Sequence, residues 1–284
     1  MAYSGIKQGT FYPIGGFNAV IKSMEKLCID LGVKIITGNE VKKINIKNKK
    51  VVSVSTQNNE IETDYLIASA DYAHVENQLL EKKYRNYSTE YWNKKNFSPS
   101  SLLFYLGVSK KLNKLDHHTL FFDEDIEQHS NDIYEKPIWP KKPLFYACCP
   151  AKTDPKVAPK DKENLFILVP IAAGLNDTEE IREEYFKIVM KRLEKFCGEK
   201  IIEHIEYKKS YCVNDFITDY NAFKGNAYGL ANTLMQTANL KPKIVNKQVE
   251  NMYYTGQLTV PGPGVPPSII SGQLVAEQII TKSK

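Results

Sequence analysis

A loop rich in proline and glycine, placed between a buried strand and a helix, restricts the fold of this sequence more than any other feature. Residues 261–267 read Pro-Gly-Pro-Gly-Val-Pro-Pro, and a short apolar stretch ending at Gly256 precedes them. Proline fixes φ and glycine has no Cβ, so such a loop is rigid and lets a ligand approach its backbone closely. The pattern predicts a strand, the loop, and a helix over residues 267–280 whose N-terminus faces a ligand. A rigid connection without a ligand explains the composition equally well.

The chain up to residue 74 is predicted to contain one helix and a run of strands. Apolar residues recur at helical spacing from Phe17 to Leu31, and Gly32 follows as a C-terminal cap. Four β-rich stretches separated by polar turns come next, and they cover residues 33–36, 41–47, 51–56 and 61–68.

The middle of the chain, residues 75–245, is predicted to form a separate α+β domain that binds substrate. Residues 246–284 return to the first domain, residues 1–74, and supply its last strand, loop and helix. The fold class is therefore α/β with two domains. The predicted middle elements are a helical stretch over 71–92, strands at 102–108, 144–149, 165–171 and 201–211, and a helix over 181–196.

The loop resembles the C-terminal flavin signature of bacterial phytoene desaturases and carotene isomerases, G-x-x-T-x-P-G-x-G-[IV]-P. Three further segments, at residues 12–16, 70–71 and 215–230, agree with that family in order and spacing. The resemblance covers nearly the whole chain and implies an FAD-binding, amine-oxidase-like flavoprotein fold. The fixed positions of the signature are met by Gly256, Thr259, Pro261, Gly262, Gly264, Val265 and Pro266.

Two departures from the family pattern bear on function. Gln257, Pro267 and Ser268 occupy positions where relatives carry other residues, which leaves the reaction open. The sequence also contains no G-x-G-x-x-G, the pyrophosphate-binding turn of the Rossmann βαβ unit. The resemblance therefore implies a C-terminal half, and we expect either that another chain supplies the Rossmann half or that this half was lost.

The resemblance also implies which residues contact the cofactor. Gly256, Gly262, Gly264, Val265 and Pro266 would contact the flavin. The backbone at Val41 would contact the adenine end, and Ala70 would pass near the cofactor. An ordinary strand position explains Val41 equally well, and a helix N-cap is the favoured interpretation of the neighbouring Asp71.

Catalytic residues are not identified by the sequence. Asp215 and Asp219 flank a segment expected to face substrate and are candidate proton acceptors, but exposed loop carboxylates are the favoured interpretation. His117, His118 and His129 lie among acidic residues and are interpreted as surface residues rather than ligands. Candidate aromatic residues for an apolar substrate path, each equally explained by core packing, are Phe104, Phe122, Tyr220, Phe223 and Tyr228.

The implied activity is FAD-dependent desaturation of a long apolar polyene, with phytoene as the expected substrate class. A carotenoid isomerase or a retinol-saturase-like flavoprotein would use the same scaffold. A third hypothesis is a non-catalytic remnant or a subunit that binds an apolar ligand.

Composition bears on metals, partners and location. The five cysteines form no C-x-x-C pair and have no histidine at metal-binding spacing, so we expect reduced, mostly buried thiols and no metal. The net charge of +5 comes almost entirely from lysine, which disfavours nucleic acid and suits a peripheral contact with anionic lipid. An ordinary solvated lysine surface is the favoured interpretation of the same charge. The longest apolar run is too short to span a membrane, and nothing marks a secretory signal. The cytoplasm is the expected compartment.

Overall fold

The structure is a computed structural model that describes Lys7, Gly9 and residues 11–282. Its strands are β1 (Val41–Lys47), β2 (Lys50–Thr56), β3 (Glu60–Glu62), β4 (Leu66–Ala68), β5 (Ser100–Val108), β6 (His118–Phe121), β7 (Phe145–Cys148), β8 (Glu163–Ile171), β9 (Ile205–Tyr211) and β10 (Met252–Tyr254). Its α-helices are α1 (Phe17–Asp30), α2 (Tyr72–His74), α3 (Thr89–Asn93), α4 (Ile126–Tyr134), α5 (Glu179–Cys197), α6 (Val213–Tyr220) and α7 (Val265–Lys282).

An antiparallel sheet in the order β6-β7-β8-β5-β9 forms the larger layer. Buried and half-buried residues alternate along β8, as expected for a sheet with one covered face. Helix α5 covers that face. Its N-cap is Thr178, whose hydroxyl accepts a hydrogen bond from Ile181 N, and its C-cap is Gly198 in the left-handed region. The helix residues buried against the sheet include Tyr185, Phe186, Val189, Met190 and Leu193.

A second hydrophobic cluster joins the two ends of the chain. It lies between the antiparallel β1-β2-β3 meander and the parallel pair β4-β10. Tyr72 and Tyr254 are buried in it and stack with ring centroids 3.8 Å apart, next to the buried Trp92. Asn251 adds polar links, because it accepts from Val51 N at 2.8 Å and donates to Val51 O at 2.9 Å.

The parallel pairing of β4 with β10 positions the candidate site. Leu66 lies opposite Met252, and Ala68 lies opposite Tyr254. Thr255 N then donates to Ala68 O at 3.0 Å. Because both strands end at the same edge, the turn after β4 lies beside the loop after β10, and ligands of α/β folds bind at such edges.

The first helix confirms the sequence prediction, whereas the strand predicted at residues 33–36 is wrong. Helix α1 ends as expected before Gly32, which has φ 80°. Residues 33–36 form no strand, because no strand in the described part of the chain pairs with them and an unpaired strand has no ladder hydrogen bonds. Helix α1 likewise has no buried residue, and Phe17 and Ile21 on its apolar face are 61% and 62% exposed.

Three other predictions need correction. The stretch 61–68 is divided between β3 and β4, which belong to different sheets. The predicted helical stretch 71–92 is broken into α2, a π-helical turn, a 3₁₀ turn and α3. His129 is 4% exposed rather than a surface residue, because its ring bridges Leu144 N at 2.9 Å and Pro170 O at 2.8 Å. The domain limits at residues 74 and 245 stay a prediction.

Two expectations from composition can be set beside the structure. The described cysteines are all free, and all but the half-buried Cys28 are buried. Within residues 11–282, no helix combines the length and apolar character that crossing a membrane requires.

Candidate functional site

A cavity of ≈ 540 Å³ opens where the turn after β4, the loop after β10 and helix α6 meet. Two of its walls come from the parallel strand pair and the third from the middle of the chain. Its lining residues are Ser69, Ala70, Asp71, Tyr72, Phe216, Tyr220, Ala222, Asn226, Ala227, Thr255, Gly256, Gln257, Leu258 and Ser268.

Backbone and hydroxyl contacts hold the wall formed by the loop after β10. Gly256 has φ 97°, a conformation that side-chain-bearing residues rarely adopt, and its N–H donates to Ser271 Oγ of α7 at 3.0 Å. Thr259 Oγ1 donates to Gly256 O at 2.8 Å. The hydroxyls of Ser69 and Thr255 lie 2.8 Å apart across the two strand ends. The wall is therefore fixed without a bulky side chain at its centre.

The rest of the loop presents bare backbone and lies beside a buried lysine. Gly262 and Gly264 have φ 132° and 115°. Lys241 is only 3% exposed, and its Nζ has no hydrogen-bond partner among the described residues. A Cβ added at Gly262 would lie 3.5 Å from that Nζ. Burial lowers the pKa of Lys241, because an unpaired charge is costly to desolvate. A ligand with anionic or oxygen-rich groups beside Gly262 would supply the missing partner.

Helix α7 begins at Val265, directly after this loop, and Ser268 N donates to Gly264 O at 2.9 Å. Pro266 and Pro267 in its first turn have no N–H. The N-terminus of α7 can therefore offer an acceptor the N–H of Val265 and the positive end of the helix dipole.

Asp71 connects the turn after β4 to the middle of the chain. As predicted, it caps α2, since Oδ1 accepts from His74 N at 3.1 Å. Its other oxygen accepts from Phe223 N at 3.2 Å and Asn226 Nδ2 at 3.4 Å. Burial raises the pKa of Asp71, although these donors act in the opposite direction. Asp71 therefore fixes the position of the segment that follows α6.

Helix α6 supplies the aromatic wall, and a buried ion pair anchors it. Asp177 accepts from Arg182 Nε at 2.7 Å and from its Nη2 at 2.6 Å, and both residues are buried. Arg182 Nη2 also lies 2.8 Å from Asp215 Oδ2. The same oxygen accepts a hydrogen bond from Cys212 N at 2.8 Å, at the start of α6. These contacts of Arg182 with Asp177 and Asp215 are called the Arg182 clamp. The clamp holds Phe216 and the adjacent turn of α6 against the cavity.

The two carboxylates considered as proton acceptors have other contacts. Asp215 belongs to the Arg182 clamp, and Asp219 accepts from Tyr211 Oη at 2.9 Å. Neither lines the cavity. Both lie on helix α6 rather than in the loop that the sequence suggested, and both are assigned to local structure.

Comparison with known proteins identifies the family of this chain. The sequence profile described as flavin containing amine oxidoreductase matches residues 1–280. The chain belongs to this family. The carotenoid 3,4-desaturase of Haloarcula japonica is 40% identical over 280 residues, 99% of this chain and 57% of that protein. A zeta-carotene-forming phytoene desaturase of Myxococcus xanthus is 26% identical over 289 residues, 99% of this chain and 54% of that protein.

The fold comparison points the same way. An oxidoreductase structure from Methanosarcina mazei superposes with a TM-score of 0.62 at 16% identity, covering 93% of this chain and 55% of that one. The predicted amine-oxidase-like flavoprotein fold is confirmed, and so is the resemblance to carotenoid desaturases. The chain spans about half the length of the curated relatives it matches.

The residues predicted to contact a flavin fall into three places. Ala70 and Gly256 line the cavity. Gly262, Gly264, Val265 and Pro266 lie in the loop and first turn of α7, beyond the lining residues. Val41 lines a neighbouring cavity of ≈ 760 Å³, together with His74, Ile217 and Phe223. Ala222 lines both cavities. These cofactor assignments stay predictions.

Sequence reasoning missed several lining residues. Phe216 and Asn226 lie within a segment recognised by its resemblance, but nothing local marks which side chains face inward. Gln257 was noticed only as a departure from the family, and its Nε2 donates to Asn226 Oδ1 at 3.1 Å. Lys241 carried no signal, since its burial depends on contacts distant in sequence. Of the proposed aromatic residues, Tyr220 lines the cavity, whereas Phe104 is core, packed on Phe186.

Proposed function

We propose that this chain forms the substrate-binding and flavin-contacting half of an FAD-dependent carotenoid desaturase. The observation that carries the proposal is the cavity between the ends of β4 and β10 and the aromatic residues of α6. It lies beside the loop that carries the flavin signature, in a chain of which 99% aligns with a carotenoid desaturase. When bound, FAD would accept a hydride from the polyene as the neighbouring carbon loses a proton, which creates a C=C bond.

The residues of the loop fit a flavin. Gly256 leaves room at the cavity wall for a flat ring, and the φ values of Gly262 and Gly264 exclude most side chains there. Lys241 would direct its ammonium group toward a carbonyl or phosphate oxygen of the cofactor, and the N-terminus of α7 would favour the same partial negative charge. Ala70 would border the ring from the other strand, and Val41 would lie toward the adenine.

The substrate is proposed to be a long apolar polyene. Phe216 and Tyr220 provide flat apolar surface that suits a conjugated chain. Leu234 and Met235 are 87% and 74% exposed, and Met235 shares a surface groove with Lys94 and Lys95. Apolar side chains flanked by lysines suit a peripheral contact with an anionic bilayer, from which such a substrate would be collected. Binding to anionic liposomes that weakens with salt is the expected behaviour.

The partner is proposed to be a dinucleotide-binding half carried by another chain. Helix α1 exposes Phe17, Ile21, Met24 and Leu27, and a continuous apolar face of this kind is rare on an isolated globular surface. A Rossmann half would cover that face and pair with residues 33–36. It would also supply the pyrophosphate site that the sequence lacks.

The experiment is reconstitution with the N-terminal half of the Haloarcula japonica relative, followed by incubation with phytoene or a more unsaturated carotenoid in liposomes. Desaturation lengthens the conjugated system, shifts absorption to longer wavelength and lowers the product mass by two hydrogens per new double bond. A product of unchanged mass would instead indicate isomerisation, and a heavier product saturation. Retention of the polyene without any product would support a non-catalytic binding subunit.

Tyr220→Ala tests the cavity itself. Removing this ring should raise KM for the polyene by about 10-fold, which corresponds to about 1.4 kcal/mol of lost apolar contact. Tyr207→Ala is the matched control, because Tyr207 is 56% exposed on β9 and does not line the cavity. Equal effects of the two variants would contradict the assignment of the cavity to the substrate.

A further inference from the structure

Two histidines and a cysteine meet at an edge of the five-stranded sheet, outside the cavity described above. His118 begins the edge strand β6 and lies opposite Cys148 of β7 in the antiparallel register. His117 directly precedes β6, and its carbonyl accepts from Cys149 N at 2.9 Å. About thirty residues of chain separate the histidines from the cysteine, so spacing along the sequence does not reveal the cluster, and strand pairing creates it.

The three side chains are close enough to share one ion. One ring nitrogen of each histidine and Sγ of Cys148 all lie within 4.8 Å of one another. Around a tetrahedral Zn²⁺ ion, with Zn–N of about 2.0 Å and Zn–S of about 2.3 Å, ligand atoms are roughly 3.5 Å apart. Small rotations of exposed or half-buried histidine rings cover the difference without movement of the strands.

Hydroxyl groups already hold both rings. His117 Nδ1 lies 2.6 Å from Thr153 Oγ1, and His118 Nδ1 lies 2.5 Å from Tyr146 Oη. Metal-binding histidines usually make such a second hydrogen bond, which orients the ring and leaves the other nitrogen for the metal. The rings also lie against each other, with centroids 4.3 Å apart. The cluster is therefore oriented before any ion binds.

The ligand types point to one class of ion. Imidazole and thiolate ligands suit Zn²⁺ and similar borderline-soft cations, whereas Mg²⁺ and Ca²⁺ prefer oxygen ligands. Cys148 is 8% exposed, which shields the sulfur, and His118 is exposed, which leaves a path for an ion and for a water as fourth ligand. We propose that His117, His118 and Cys148 form a binding site for a single zinc-class divalent cation.

The site would add a cross-link to the antiparallel pairing of the edge strand β6 with β7. Tyr12 lies edge-on to the His117 ring at 4.8 Å, and Gly15 N donates to Asp154 Oδ2 at 2.7 Å. The ion would thereby stiffen the contact between the sheet and the segment leading into α1. This role is structural and does not depend on the proposed flavin chemistry.

The test uses the full chain, freed of metal with a chelator and titrated with Zn²⁺ by calorimetry and with Co²⁺ by absorption. We expect one saturable equivalent and a thiolate-to-cobalt charge-transfer band. Cys148→Ser and His118→Asn should each weaken binding by about 10-fold or more, and Tyr146→Phe should weaken it by roughly 10-fold through loss of ring orientation. Cys28→Ser is the matched control and should bind like the wild type, because Cys28 lies on α1, outside the cluster.

A second measurement remains informative where a variant fails to fold. Zn²⁺ should slow alkylation of Cys148 in the wild-type chain, read by peptide mass mapping, while leaving the rate at Cys28 unchanged. Absence of saturable Zn²⁺ binding would overturn the proposal. So would binding without the charge-transfer band, or equal affinity in the wild type, Cys148→Ser and His118→Asn.

Discussion

Glu76 provides a quantitative test of the packing beneath the candidate site. Its side chain is fully buried at 0% exposure in the cluster that contains Tyr72 and Tyr254. It accepts hydrogen bonds from Asn86 N at 2.7 Å, Tyr87 N at 2.9 Å and Tyr254 Oη at 3.1 Å. Burial nevertheless raises the pKa of Glu76 from 4.5 to about 7, because desolvation of the carboxylate outweighs these donors.

The raised pKa makes stability fall as pH increases. Between pH 4.5 and 7 the folded chain holds the proton of Glu76 while the unfolded chain has lost it, so the free energy of unfolding decreases with pH. A difference of about 2.5 units corresponds to about 3 kcal/mol, of which about 2.5 kcal/mol lies between pH 5 and 8. This contribution is fully present below pH 4.5 and is lost above pH 7.

Glu76→Gln removes the titration and places an amide N–H₂ against backbone donors, at a cost of about 1–3 kcal/mol. At pH 5 the wild type should therefore be more stable by at most about 1–3 kcal/mol, and by pH 8 the difference should have moved by about 2.5 kcal/mol in favour of Glu76→Gln. Urea denaturation followed by circular dichroism from pH 5 to 8 measures the difference directly. Glu81→Gln, at a side chain 61% exposed, is the control and should change the free energy of unfolding by well under 1 kcal/mol. If the free energy of unfolding of the wild type instead rose relative to that of Glu76→Gln as the pH increased, the reasoning would be refuted.

Three further predictions concern the clamp, the loop and the first helix. Asp177→Ala should lower the free energy of unfolding by about 3–5 kcal/mol in urea, because it leaves the buried Arg182 without its bidentate partner; a loss below about 1 kcal/mol would contradict this. Lys241→Met should raise the melting temperature of the chain alone and weaken FAD binding by the reconstituted pair, as measured by flavin fluorescence; an unchanged FAD affinity would separate Lys241 from the cofactor. The double change Phe17→Lys and Ile21→Lys should leave stability nearly unchanged but reduce co-purification with the Rossmann half, and full retention of the partner would exclude α1 from the interface.

Local sequence patterns predicted the parts of the fold that depend on local physics. The apolar spacing of α1 and α5 and the N-cap at Asp71 required no distant contact, and each is confirmed. The strand predicted at residues 33–36 failed because a strand exists only with a neighbour. The division of residues 61–68 between two sheets depends likewise on pairing with β10.

The candidate site divides in the same way. The loop from Gly256 to Pro266 was recognisable, because glycine and proline constrain the backbone wherever they occur. Contacts with segments distant in sequence bury Lys241 and turn Phe216 toward the cavity. Strand pairing brings His117 close to Cys148. Such contacts have no local signature, so sequence reasoning could not place these side chains.

The flavin content of the reconstituted pair tests the central claim most directly. Gly264→Val would force a branched side chain onto φ 115° in the loop, whereas Gly272→Ala adds a methyl group to the middle of α7, where nothing lies within 4 Å of it. We predict that the wild type and Gly272→Ala bind one FAD per pair, that Gly264→Val purifies without visible flavin absorbance, and that all three show the same circular dichroism. Stoichiometric FAD in Gly264→Val would contradict the assignment of this loop to the flavin.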